Sequence, residues 1–214
     1  MALNLNGLSY QIGSFCLTQK DPISLPKGKM IWVRGASGSG KSTLLQGLAG
    51  FIVAKSGSVQ LDSVDLTHLP AERRRVALVF QEAALFPHLT VEENVEYGLR
   101  VLGLPRHDRQ TRSQRILKDL EISELANRYP QEISGGQAHR VSLARSAIMD
   151  YPVLLLDEPF AALQVSLRAQ LTDWLFHEAE RKGWHVLVAS HDPLDSTRVA
   201  HQILVENGSF SMTN

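Results

Sequence analysis

The sequence predicts an α/β fold with a mainly parallel sheet, an antiparallel β subdomain beside it and a helical insertion. Three observations carry this reading. Short apolar runs rich in branched residues recur along the chain, a glycine-rich loop joins one of them to a helical segment, and residues 82–150 change to helical character. The 214 residues suffice for one sizeable core with a small appended unit, but not for two ordinary independent domains. We therefore expect one domain over 1–214. Within it, 1–81 and 151–214 form the core with its antiparallel subdomain, and 82–150 form the helical subdomain.

The elements follow in order. Leu3, Leu5, Leu8, Tyr10 and Ile12 approach period-two alternation, and residues 58–61 do so briefly, as in a half-exposed antiparallel sheet. Residues 30–33 form a strand that runs into the glycine-rich loop and then a helix over 41–48, the order strand, phosphate loop, helix. Runs 76–80, 153–156 and 186–189 read as strands buried on both faces of a parallel sheet. Residues 91–102, 109–120 and 136–149 read as helices separated by Pro105 and by Tyr129-Pro130. A last long helix covers 163–182 and stops at Gly183.

Composition narrows the function. Lys+Arg and Asp+Glu each count 22, so the formal net charge is zero and no global field draws the chain to nucleic acid or anionic lipid. The single cysteine, Cys16, excludes an intramolecular disulfide and reads as a small apolar filler. No apolar run reaches the ~18 to 20 residues that span a bilayer, and the start MALNLNGLSY lacks the features of a signal peptide. The expectation is a chain that stays cytoplasmic.

Gly35-Ala36-Ser37-Gly38-Ser39-Gly40-Lys41-Ser42 matches G-x4-G-K-[ST], with Thr43 following inside the helix. Glycines let backbone N–H groups curl around a polyphosphate, and the helix N-terminus adds its dipole. In such a loop Lys41 reaches the β- and γ-phosphates and the Ser42 hydroxyl serves Mg2+. The loop gives a ligand class, and kinases and GTPases share it. At the end of the run 153–156, Asp157 and Glu158 fall at the carboxyl edge of the parallel sheet, where ligand crevices form. Asp157 is placed to hold Mg2+, and Glu158 to polarise an attacking water. A strand ending in solvent with charged residues is the bland alternative.

Ile133-Ser134-Gly135-Gly136-Gln137, followed by Arg140 and a helical run, resembles the LSGGQ signature of ATP-binding-cassette proteins. An ordinary Ser-Gly-Gly helix cap looks the same in isolation. Here it stands 16 residues before the acidic strand begins at Val153. The resemblance implies a P-loop NTPase core that pairs head to tail with a second cassette. Ser134, Gly135, Gly136 and Gln137 of one chain then complete the ATP site of the other.

The resemblance extends from near residue 3 to about residue 208. It implies that Gln81 touches Mg2+ or the attacking water, and that His191 in Ala189-Ser190-His191-Asp192 contacts the γ-phosphate. Residues 157–163 continue as the family's D-loop, although Gln164 stands where aspartate is usual, which implies altered hydrogen bonding across the dimer. For the aromatic that stacks on adenine, Tyr10 is the first choice and Phe15 the second. Residues 81–99 resemble cassettes of binding-protein-dependent bacterial importers, with Leu85, Phe86 and Pro87 helping to form the groove for a membrane subunit. The short tail after about residue 205 suggests a thiamine-like or otherwise minimal system.

The implied function is ATP hydrolysis powering import, with transmembrane permease subunits, a second cassette and a substrate-binding protein as partners and no nucleic acid. The implied place is the cytoplasmic face of the membrane, as a peripheral subunit. Exporter-type cassettes, soluble cassette proteins acting on DNA or in translation, and small-molecule P-loop kinases are the alternatives. A kinase leaves 133–137 and His191 unexplained.

Overall fold

In the computed structural model, residues 2–160, 163–191, 199 and 201–213 are described. The chain begins with β1 (Ala2–Ile12), β2 (Phe15–Gln19), β3 (Ile23–Pro26) and β4 (Lys29–Arg34), then α1 (Lys41–Ala49), β5 (Ser56–Leu61), β6 (Val64–Asp65) and β7 (Val76–Val79). Next come α2 (Val91–Val101), α3 (Arg106–Asp119), α4 (Gly135–Ala147), β8 (Val153–Asp157), α5 (Val165–Lys182), β9 (His185–Ala189), β10 (His201–Glu206) and β11 (Ser209–Thr213). The strands form one sheet in the order β6-β5-β1-β2-β11-β10-β4-β9-β8-β7, with β3 paired to β1. The run β10-β4-β9-β8-β7 is parallel, whereas β1 pairs antiparallel with β2, β3 and β5.

Alternation along the parallel strands builds two cores. Ile31, Val33, Val153, Leu155 and Leu187 face α1 and the antiparallel strands, while Met30, Leu154, Leu156, Val186 and Val188 face α2, α4 and α5. Every residue of β8 and β9 is buried, as expected for strands covered on both faces. The functional loops therefore rest on a rigid base at the carboxyl ends of β4, β8 and β9.

β1 departs from simple alternation. Its register against β5 shifts between Asn6 and Ser9, where Gly7 adopts φ 60, so the inward parity moves from Leu3 and Leu5 to Leu8 and Tyr10. The C-terminus of α1 is clasped by Arg74. Its guanidinium is buried and donates to the carbonyl oxygens of Gly47, Leu48, Leu69 and Thr67 at 2.8–3.0 Å, satisfying orphan helix carbonyls. Burial pulls its pKa below the usual arginine value, opposed by Tyr10 and Asp65.

Two helices differ at their starts. The α2 N-terminus carries a full capping box, Thr90 with Glu93, whereas α5 starts at Gln164 with no side-chain cap and no acid in its first turn. Gln164→Asp is expected to stabilise the fold by about 1 kcal/mol through capping and the helix dipole. A urea midpoint that stays in place or falls would contradict this.

Cys16 is exposed, with Sγ 3.6 Å from the Thr18 hydroxyl, so it is not the apolar filler expected. The alternation of β2 turns it outward beside buried Leu17. Among the described residues, no helix is long and apolar enough to cross a membrane.

Candidate active site

The phosphate loop leaves β4 and enters α1. Gly40 adopts φ 110, and a Cβ there would lie 2.9 Å from the Phe15 ring, so the position accepts only glycine without displacement. A Cβ on Gly35 would meet the Val205 carbonyl oxygen at 2.3 Å, so the loop lies tight against β10. Lys41 is 7% exposed and its Nζ donates to the carbonyl oxygens of Gly35 and Ala36 at 2.9 and 3.0 Å. Its ammonium thus closes the loop, and the loop holds the curled shape that an incoming polyphosphate needs. Ser42 and Thr43 follow in the first turn of α1.

Two carboxylates, Asp157 and Glu158, stand at the end of β8. Asp157 is buried, and its Oδ1 has no hydrogen-bond partner. Burial pushes its carboxyl above the usual carboxylate range. The Ser42 hydroxyl and the Lys41 ammonium oppose that shift, and the neighbouring Glu158 charge adds to it. An orphaned, desolvated carboxylate oxygen beside a serine hydroxyl is a donor set that fits a hard divalent cation such as Mg2+.

Glu158 is held in the left-handed region at φ 47, and its N–H donates to the Ala189 carbonyl oxygen at 2.8 Å. This unusual backbone turns the carboxylate toward the end of β9, where His191 Nδ1 lies 3.1 Å from Glu158 Oε1. Trp32 Nε1 donates to the Ser190 carbonyl oxygen at 3.0 Å, and the Ser190 N–H donates to the Val33 carbonyl oxygen at 3.3 Å. Three loops from three neighbouring strands are thus tied to one another. Sequence reasoning missed Trp32, because 158 residues separate it from Ser190.

Gln81 follows β7 and is exposed; β7 pairs with β8, which places Gln81 one strand away from Asp157. Ser134, Gly135, Gly136 and Gln137 open α4, which packs on α2, α3 and β7 rather than joining the phosphate loop. Ser134 Oγ accepts from the Gln137 N–H, and Gln137 Oε1 accepts from the Ser134 N–H. This capping box leaves the Gly135 and Gly136 amides at an exposed helix start, with open space where a Gly135 side chain would be. Ala161, Ala162 and Asp192, of the expected D-loop and the His191 motif, lie outside the described residues.

One expectation is corrected. Tyr10 is fully buried, and its ring fills the space where a Gly47 side chain would sit, so it packs β1 against α1 and presents no face to a base. Burial also pushes its phenol far above the ordinary value. The register shift in β1 is the cause, since it turns Tyr10 inward. Phe15 is the aromatic that reaches the loop, through Gly40, and it pairs across the hairpin with Ile12, which is 47% exposed.

Leu85, Phe86 and Pro87, the expected docking residues, are not in the lining of the apolar groove that the structure shows. That groove, of about 500 Å³, lies among Ala49, Phe51, Glu72, Leu78, Tyr97 and Tyr151, and Phe86 packs against Tyr97 with ring centroids 4.5 Å apart. Asn94 holds that segment. It is fully buried, accepts from the Phe86 N–H and donates to the carbonyl oxygens of Phe86, Leu89 and Thr90 at 2.9–3.1 Å. An asparagine among apolar helix positions was the available signal.

Comparison with known proteins follows from this geometry. The profile of the family described as ABC transporter matches residues 19–161. A probable sulfate/thiosulfate import ATP-binding protein CysA of Chlorella vulgaris is 38% identical over 98% of this chain and 89% of that protein. The sulfate/thiosulfate import ATP-binding protein CysA of Synechocystis sp. is 37% identical over 98% of this chain and 59% of its own length. For the protein of that name from Salmonella typhimurium the values are 36%, 96% and 57%. The chain spans less than two thirds of these last two relatives. A dimeric post-hydrolysis structure of an ATP-binding cassette bound to ADP and Pi superposes with a TM-score of 0.85 at 28% identity, covering 99% of this chain and 98% of that one.

Proposed function

The chain belongs to the ABC transporter family of ATP-binding cassettes, and from that membership we propose that it binds and hydrolyses ATP as one of two paired subunits and powers solute import through membrane partners. The observation that carries this reading is the convergence of Lys41, Asp157, Glu158 and His191 at the ends of neighbouring parallel strands, while the signature amides open α4, a helix that packs on α2, α3 and β7. A second anion cradle on the helical arm serves the phosphates of a second chain.

Residues 35–43 wrap the phosphates, with Lys41 on the β- and γ-phosphates. Ser42, Asp157 and Gln81 hold Mg2+, which neutralises phosphate charge when bound. Glu158 takes a proton from the attacking water, and His191, already paired with Glu158, fixes the carboxylate and reaches toward the γ-phosphate. Ser134, Gly135, Gly136 and Gln137 of the second chain close the site from the opposite side. Phe15 supplies the apolar contact for the base. The chain acts as one domain, 82–150 being its helical subdomain, and it sits on the cytoplasmic face of the membrane as a peripheral subunit. The groove around Phe51 and Tyr97 receives a membrane subunit, and a substrate-binding protein delivers the cargo, which the partners recognise.

Phosphate release from Mg-ATP by the purified chain is the test. In the dilute range the rate is expected to rise with the square of protein concentration, because two chains build each site. A rate linear in concentration from the lowest values would remove the paired-site reading, and no release at all would remove the ATPase.

A further inference from the structure

The loop that carries His191 is held by a side chain from the neighbouring strand. β4 pairs parallel with β9, with Trp32 opposite Val188, so Ser190 lies two residues beyond the partner of Trp32, about 7 Å further along the strand. The Trp32 indole spans that offset and donates from Nε1 to the Ser190 carbonyl oxygen at 3.0 Å. A serine, threonine or asparagine at position 32 carries its donor too near the backbone to reach so far. Tryptophan combines the reach with an N–H that a partly buried ring has to place on an acceptor.

The bond acts on a particular unit of the backbone. The Ser190 carbonyl and the His191 N–H belong to one planar peptide group, so fixing that oxygen fixes the plane from which His191 departs. Ser190 is 4% exposed, and its own N–H donates to the Val33 carbonyl oxygen at 3.3 Å, at the long end of the range. β4 therefore holds Ser190 twice, through its backbone at Val33 and through its side chain at Trp32. His191 needs such a hold. Its side chain is 61% exposed, so packing does little to orient it, yet its Nδ1 lies 3.1 Å from Glu158 Oε1. Glu158 is tied to the same short stretch, since its N–H donates to the Ala189 carbonyl oxygen at 2.8 Å. Ala189 and Ser190 are thus a common base for both side chains, and the Trp32 ring is clamped onto that base.

We propose that Trp32 is a positioning residue for hydrolysis, whose indole N–H sets the peptide plane between Ser190 and His191 and so keeps His191 aligned with Glu158. This rests on the reading of Glu158 and His191 as the groups that act on the attacking water and the γ-phosphate. ATP is held by residues 35–43 through their own amides and Lys41, so loss of the Trp32 N–H falls on turnover and leaves nucleotide affinity in place.

Phosphate release in variants of position 32 is the test. Trp32→Phe keeps a ring in the sheet and removes the N–H; it is expected to lower kcat about tenfold while the KM for ATP stays within about twofold of wild type. A second variant, with 3-benzothienylalanine incorporated at position 32, keeps the shape of the indole and exchanges the N–H for sulfur. An equal loss of kcat in this isostere, with an unchanged urea midpoint, assigns the effect to the donor and not to packing, and it serves alone if Trp32→Phe does not fold. The same changes are then made in His191→Ala. There the further loss is expected to shrink to less than about twofold, because the residue through which Trp32 acts is gone. Losses that multiply in the double variant would overturn the proposal, and so would a wild-type kcat in the isostere. The single variant His191→Ala separates the two readings. A slow His191→Ala beside an isostere of wild-type rate removes Trp32 alone, whereas a wild-type rate in His191→Ala, or no release by the wild-type chain, removes the reading of the site and the positioning role with it.

Discussion

Glu158→Gln is expected to bind Mg-ATP, to hold two chains together and to release almost no phosphate. The amide keeps the shape of the side chain and a hydrogen-bonding oxygen for His191 Nδ1, now 3.1 Å from Glu158 Oε1, but it no longer takes a proton from water. Removing a general base lowers turnover by about 10²- to 10⁴-fold. Nucleotide therefore accumulates in a closed pair. Light scattering should show the mass double only when Mg-ATP is present, and phosphate release measured beside it should fall to near background. Hydrolysis at the wild-type rate would take Glu158 out of the reaction, and a single-chain mass in both conditions would take away the ATP-driven pairing.

Lys41→Ala is expected to lose nucleotide binding itself. The ammonium is the buried cation of the loop, donating to Gly35 and Ala36, so its removal deprives the phosphates of a charge-assisted donor and takes the lysine donor from the Gly35 carbonyl oxygen, while that of Ala36 keeps the Ser39 N–H at 3.2 Å. A lost charged hydrogen bond of about 3 kcal/mol corresponds to roughly a hundredfold weaker affinity. Titration with a fluorescent ATP analogue checks this, and unfolding by urea separates lost binding from lost structure. An unchanged dissociation constant in a folded variant would show that the loop amides alone hold the phosphates.

The parallel core and the chemistry at its edge were legible because both depend on local pattern. Runs such as 153–156 are apolar throughout because β8 is covered on both faces, and Asp157 and Glu158 follow at the strand end. Gly35 and Gly40 stand where contacts admit no side chain, and Gly38 stands in open space at a left-handed φ of 75. What was not legible depends on distant partners. β10 and β11 were not expected, although Asn207-Gly208, both at positive φ, is a strong hairpin signal between their short runs. Tyr10 was misread because alternation assumes unbroken register, and the shift near Gly7 changes which residues face inward. Arg74, Trp32 and Asn94 act through carbonyl oxygens of the backbone, which leave no mark on residue type at the accepting position. The apolar groove itself was not legible, because the sequence shows that 85–87 is apolar but not that Phe86 packs against Tyr97.

The left-handed backbone at Glu158, with φ 47, sets durability against turnover at a single position. Glycine there relieves on the order of 1 kcal/mol of steric conflict, yet it deletes the carboxylate that lies 3.1 Å from His191 Nδ1. Heat-tolerance screening of random variants would therefore enrich inert proteins at this codon, and any programme to harden the molecule has to select for catalysis in the same round.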